Sequence, residues 1–151
     1  MILAMLATPL RMLFPHRRWP LWLVRRRRYL GVAAFVYATL HTLFYLIAEG
    51  TLQHVLAEAL ELGIWTGWAA FLIFIPLAAT SNDWSVRRLA RNWKPLQRWV
   101  YPAAALTLVH WLAVSRGPGG ALLHFLPLVA LEGWRIWDLR ARPAAPAVSS
   151  P

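Results

Sequence analysis

Residues 29–48 (YLGVAAFVYATLHTLFYLIA), 62–82 (LGIWTGWAAFLIFIPLAATSN) and 99–115 (WVYPAAALTLVHWLAVS) each run without one charged side chain. Such runs leave few folds open. About 20 apolar residues in helical form cover a hydrocarbon core of roughly 30 Å, and a helix satisfies every backbone polar group within its own segment. Residues 117–137 have the same character apart from Glu132 and Arg135. The expectation is an all-α, polytopic transmembrane helix bundle with four full spans. A partial N-terminal hydrophobic segment, 1–14, precedes them; it is apolar except for Arg11 and too short for an ordinary span. A secretory signal would place its bases before the apolar stretch and a cleavage site after it. Here the bases follow, so the segment reads as the end of a span, and either the true start lies upstream of Met1 or the chain is a shortened form.

Charge is gathered into blocks between these runs. Arg17, Arg18 and Arg25 to Arg28 lie in 15–28, and Arg87, Arg88, Arg91, Lys94 and Arg98 lie in 81–98. Segment 49–61 carries Glu49, Glu58 and Glu61 and no Lys or Arg. The positive-inside rule puts both basic segments and the Arg140/Arg142 tail in the cytoplasm, with the acidic segment and the turn at Arg116 outside. All four spans agree with that alternation. The formal net charge of +10 would suggest nucleic acid in a soluble chain; beside span ends it sets topology and meets anionic membrane lipids. No nucleic-acid partner is expected. The chain has no cysteine, which excludes disulfides, thiolate-ligated clusters and covalent haem attachment. The tail, 141–151, is small and proline-rich and is expected to be disordered.

Two ionisable side chains fall inside the runs. His41 lies 12 residues beyond Tyr29 and His110 lies 11 beyond Trp99, so both sit roughly 17 Å from the inner edge at 1.5 Å per residue. Ionisable residues at that depth point to a site. Both helices run from inside to outside, and two imidazoles at one level suit a b-type haem, whose iron takes a nitrogen on each face. Taken singly, each histidine is better read as hydrogen-bonding a neighbouring helix; their shared level reverses that balance in favour of haem. Ala34 and Ala38 share a face with His41, and Ala103 and Leu106 with His110, leaving room for a flat macrocycle. His124, near the outer end of the fourth run, is either an interfacial residue or an accessory beside the haem or a docking surface. His16 and His54 are expected in solvent.

Other features are bland. Gly63 and Gly67 form a GxxxG suited to close helix packing. Pro76, Pro102 and Pro127 fall within spans and can kink them. Trp19, Trp22, Tyr29, Trp84, Trp99 and Trp137 suit interfacial anchoring, and Glu132 with Arg135 a helix-end ion pair. There is no phosphate loop, nucleophile elbow or HExxH, and no catalytic residue is expected.

The stretch LATPLR, the arginine run with YLGVAAFVYATLHTLFYL, and TSN...RNWKPLQRWVYPAAALTLVHWL resemble the MsrQ/YedZ family of the ferric-reductase-like transmembrane superfamily. The resemblance extends to about Trp137. It implies a haem-b subunit of the bacterial inner membrane, with residues 15–140 as its haem-binding domain. Such a subunit passes electrons from the quinone pool, or a flavin such as FMN, to a periplasmic molybdopterin-containing methionine sulfoxide reductase. His41 and His110 match the family's histidines and inherit the role of axial ligands to the haem iron. The family commonly has another histidine 13 residues before the latter, where this chain has Gln97; a second bis-histidine haem is therefore not expected. The family also has hydrophobic segments upstream of LATPLR. The alternatives are another haem-b membrane reductase, such as a ferric reductase, a haem-free scaffold, or a small transporter subunit. The transporter is disfavoured because no carboxylate sits mid-membrane.

Overall fold

A computed structural model describes residues 1–141. The expected disordered tail lies outside the described residues except for Ala141, which closes the last helix. In order the chain forms α1 (Ile2–Leu13), α2 (Arg18–Glu49), α3 (Leu52–Glu58), α4 (Leu62–Ala79), α5 (Asp83–Leu89), a 3₁₀ turn (Ala90–Asn92), α6 (Trp93–Gln97), α7 (Val100–Val114) and α8 (Gly119–Ala141). No strand occurs among the described residues.

Local chemistry sets the ends. Gly50, at φ 67°, takes the left-handed conformation that closes α2. Thr51 caps α3 by accepting from the His54 backbone N–H at 3.4 Å, and Asn82 caps α5 by accepting from Ser85 N–H at 2.8 Å. Pro118 stands just before α8, and its carbonyl accepts from Leu122 N–H at 2.9 Å.

The basic segment 15–28, expected as a loop, is mostly helical, because α2 begins at Arg18 and runs on through the arginines. Arginine is a good helix former, and Pro20 sits in the first turn, where its missing N–H breaks no helical bond. With 32 residues, α2 is about 48 Å long and reaches well past a hydrocarbon core.

Two helices, α2 and α4, are long and apolar enough to cross a membrane. The others fall short for separate reasons. With 15 residues, α7 covers about 22 Å, since the chain turns at Arg98 and Trp99 before it. Its Pro102 lies in the first turn and breaks nothing. In α8 the second half carries Glu132, Arg135, Asp138 and Arg140. Exposure separates α2 from the core helix of a soluble protein: none of its apolar window is buried, and Tyr37 and Phe44 are 74% and 66% exposed. A soluble protein rarely leaves such a surface uncovered.

Contacts close the helices into a ring in the order α2, α4, α7, α8, α1. α4 lies along α7, and α1 wedges between α2 and α8. A small core of Met5, Ala104, Phe125 and Leu128 joins α1, α7 and α8. The membrane-side ends are tied by polar bonds. At one end Tyr45 donates to Glu58 Oε2 at 3.3 Å. At the other, Arg28 pairs with Asp83 at 2.6 Å, Trp93 Nε1 donates to the Thr80 carbonyl at 2.9 Å, and Gln97 Nε2 donates to the Leu77 carbonyl at 3.1 Å and Thr80 Oγ1 at 3.0 Å. Arg28's hydrogen bond and charge hold the Asp83 carboxyl below the usual carboxylate range.

Candidate functional site

α2 and α7 bring His41 and His110 together edge to face, with the His41 ring partly open to the outside. Their ring centres are 6.1 Å apart and their planes are inclined by 78°. Residues separated by 69 positions in the chain thus meet at one level, as their depths along two co-directional helices predict.

α4 fixes the second of these rings. Nδ1 of His110 lies 2.6 Å from the Gly63 carbonyl. A carbonyl can only accept, so Nδ1 carries the proton and Nε2 keeps the lone pair. Gly67 makes that position possible: a Cβ there would lie 2.6 Å from His110 Nδ1 and 2.8 Å from Cε1. At Gly63 a Cβ would meet Val114 Cγ1 at 2.7 Å. The GxxxG is thus the seam between α4 and α7, in keeping with close packing, and the imidazole is seated in it. His41 has no hydrogen-bond partner among the described residues, and its ring contact is with His110.

Around the pair is an open cavity of about 720 Å³, walled by residues including Tyr37, Ala38, Trp68, Phe71, Thr107 and Trp111. Among the described residues no acidic or basic side chain other than the two histidines lines it. Among the described residues no group of three or more His, Asp or Glu side chains gathers to hold an ion. Two imidazoles are a sparse site for a bare ion, whereas a macrocycle supplies the remaining ligands itself. Imidazoles bound to one metal from opposite sides have ring centres roughly 6.3 Å apart, given a metal–nitrogen bond of about 2.0–2.1 Å, taken here from zinc. The observed spacing matches that arrangement.

Other expected residues fall on and off the cavity. Ala34 and Ala38 line it as expected. On α7 the lining is Thr107, Trp111 and Val114 instead of Ala103 and Leu106; Ala103 is fully buried in helix packing. His124 lies outside the cavity and exposed, its Nδ1 2.8 Å from the Gly120 carbonyl and its ring 5.3 Å from that of Trp111. His54 is in α3 and His16 in the turn before α2, both exposed. Glu132 and Arg135 form the expected ion pair at 2.8 Å, and Arg135 also reaches Tyr101 Oη at 3.4 Å. Sequence reading missed Trp111, Thr107 and the Gly63 carbonyl. The glycine spacing in α4 was the available sign of the last.

A second, smaller cavity of about 310 Å³ lies toward the basic end and shares Met1, Ala34 and Phe74 with the first. Gln97 lines it and no histidine does.

Residues 1–108 match the family described as ferric reductase like transmembrane component. The chain is 36% identical over 156 residues to the protein-methionine-sulfoxide reductase heme-binding subunit MsrQ of Xanthomonas axonopodis pv. citri, covering 100% of this chain and 70% of the relative. It is 40% identical over 139 residues to the protein of the same name from Rhizobium meliloti, covering 89% of this chain and 62% of that relative. No solved structure matches.

Proposed function

The chain belongs to the MsrQ/YedZ family of ferric reductase like transmembrane proteins, and from that membership we propose that it is a haem-b electron-transfer subunit of a methionine sulfoxide reductase system. The observation that carries the reading is the facing histidine pair at 6.1 Å, with one ring held in a single tautomer by a backbone carbonyl. His41 and His110 are the residues that would hold the haem iron, each through a ring nitrogen. The largely apolar and aromatic cavity supplies room for the macrocycle, and the relatives are named as heme-binding subunits.

A haem with two imidazole ligands takes up and releases single electrons. The protein's part is to hold, orient and insulate. Gly63 engages Nδ1 of His110 and so leaves Nε2 as the nitrogen that would be offered to a metal, an outer contact of the kind that fixes ring orientation and raises ligand basicity. Tyr37, Trp68, Phe71 and Trp111 exclude water. α2, α4, α7 and α8 are the four spans of an inner-membrane bundle. The basic ends of α2, α5 and α6 and the end of α8 lie in the cytoplasm, and Glu49, Glu58 and Glu61 lie outside. Electrons enter from the quinone pool or a flavin such as FMN and leave to a periplasmic molybdopterin-containing reductase, for which the acidic outer segment is a docking face.

An optical spectrum of the detergent-purified protein, oxidised and then reduced, tests this. Sharp low-spin b-type bands at one haem per chain are expected. A protein that stays colourless after haem supplementation overturns the assignment and favours the scaffold alternative.

A further inference from the structure

The smaller cavity gathers cations from three parts of the fold. Arg27 and Arg28 reach it from α2, Lys94 and Arg98 from α6 and the turn after it, and Arg135 from α8. Among the described residues no carboxylate lines it. Asp83 meets Arg28 and Glu132 meets Arg135 from outside the lining; among the described residues no carboxylate pairs with Arg27, Lys94 or Arg98. Charges drawn together without a counter-ion repel one another unless an anion joins them. Positive-inside topology asks for basic residues near span ends, but not for their convergence on one cavity.

Beneath this rim the lining turns apolar, with Phe35, Phe74 and Leu77. The apolar part runs toward mid-membrane, since Phe74 and Ala34 also wall the histidine cavity. A ligand that suits both parts has an anionic head at the depth of lipid headgroups and a hydrocarbon tail. We infer that this cavity binds the phosphate headgroup of an anionic phospholipid, with Arg27, Lys94 and Arg98 as its ligands. Guanidinium and ammonium groups are the usual partners of phosphate, and basic pockets between transmembrane helices on the cytoplasmic side commonly take such headgroups. A free phosphate or a soluble phosphate ester shares the head chemistry but makes no use of the apolar floor. The inference rests on the cavity and its charge, and stands apart from the haem reading.

The test is native mass spectrometry of the full chain, delipidated in detergent and titrated with cardiolipin, then with phosphatidylcholine. One cardiolipin per chain is expected, with at least tenfold weaker retention of phosphatidylcholine. The K94A/R98A double variant should lose at least tenfold in cardiolipin affinity. The R25A/R26A variant removes the same net charge from outside the cavity and should bind as the wild type does. Circular dichroism and gel filtration verify that each variant is folded, whatever its haem content. Equal losses in both variants would mean bulk charge alone and overturn the site. Displacement of the lipid by inorganic phosphate or flavin mononucleotide would overturn the lipid in favour of a soluble phosphate ligand.

Discussion

The Gly63 carbonyl holds Nδ1 of His110 at 2.6 Å, so the backbone of one helix selects which nitrogen a side chain on another presents. The same carbonyl accepts from Thr66 Oγ1 at 3.0 Å. That oxygen lies within α4, yet it also anchors the α7 imidazole, so changes on this seam bear on how His110 is oriented.

Gly67→Ala should displace the imidazole, because the added Cβ would stand 2.6 Å from Nδ1. Overpacking of this kind costs about 1–3 kcal/mol. The expected result is a loss of haem or a shift toward high-spin bands, read from the reduced-minus-oxidised spectrum. Gly133→Ala, where a Cβ meets nothing within 4 Å, is the control and should leave the spectrum unchanged.

Replacing either His41 or His110 by Ala should abolish the low-spin haem spectrum. Full haem retained by both variants would remove them from the ligand set. His124→Ala should keep the bands, since that ring meets Trp111 from outside the cavity.

Gln97 ties α6 to the end of α4 through Leu77 and Thr80. Gln97→Ala should lower thermal stability by about 1 kcal/mol without altering the haem bands. Gln97→His should not raise haem stoichiometry above that of the wild type, because no second histidine lines the smaller cavity. Haem and protein assays on the purified variant decide this.

The Arg28–Asp83 pair carries a pH signature. Its carboxyl titrates lower when folded than when unfolded. The pair's stabilisation is therefore complete above the unfolded value of about 3.9 and is lost as pH falls through the lower folded value. Asp83→Asn should melt slightly earlier than the wild type at pH 7, and the gap should narrow as pH falls below the ordinary carboxylate range and shrink in high salt. Both side chains are partly or fully exposed, so the shift should be small.

Reporter fusions give the topology. Alkaline phosphatase fused after Glu58 should be active, and after Arg91 inactive. The reverse pattern would overturn the orientation, and activity at both points would mean that α4 does not cross.

The chain's periodicity and charge blocks displayed much of this fold. The apolar runs carry their helices, and the depth of His41 and His110 was enough to place them opposite each other. What stayed hidden depended on helix rotation and on ends. Counting by threes and fours from His110 pointed to Ala103 and Leu106, yet the cavity wall is Thr107, Trp111 and Val114, because packing against α4 decides which side of α7 is open. A charge block reads as a loop by composition, yet arginine carries α2 straight through 18–28. The Gly63 carbonyl is a backbone atom, and no side-chain motif announces it.

The helical course of the arginine run gives each of its members a different address. Successive side chains on a helix turn by about 100°, so Arg25 to Arg28 sweep nearly the whole circumference of α2. Arg26 stacks over the Tyr29 ring at 5.5 Å, Arg28 grips Asp83, and Arg27 looks into the smaller cavity. A tally of positive residues treats the four as interchangeable. Their compass bearings do not, and shifting the run by one residue would preserve the charge yet scramble every neighbour.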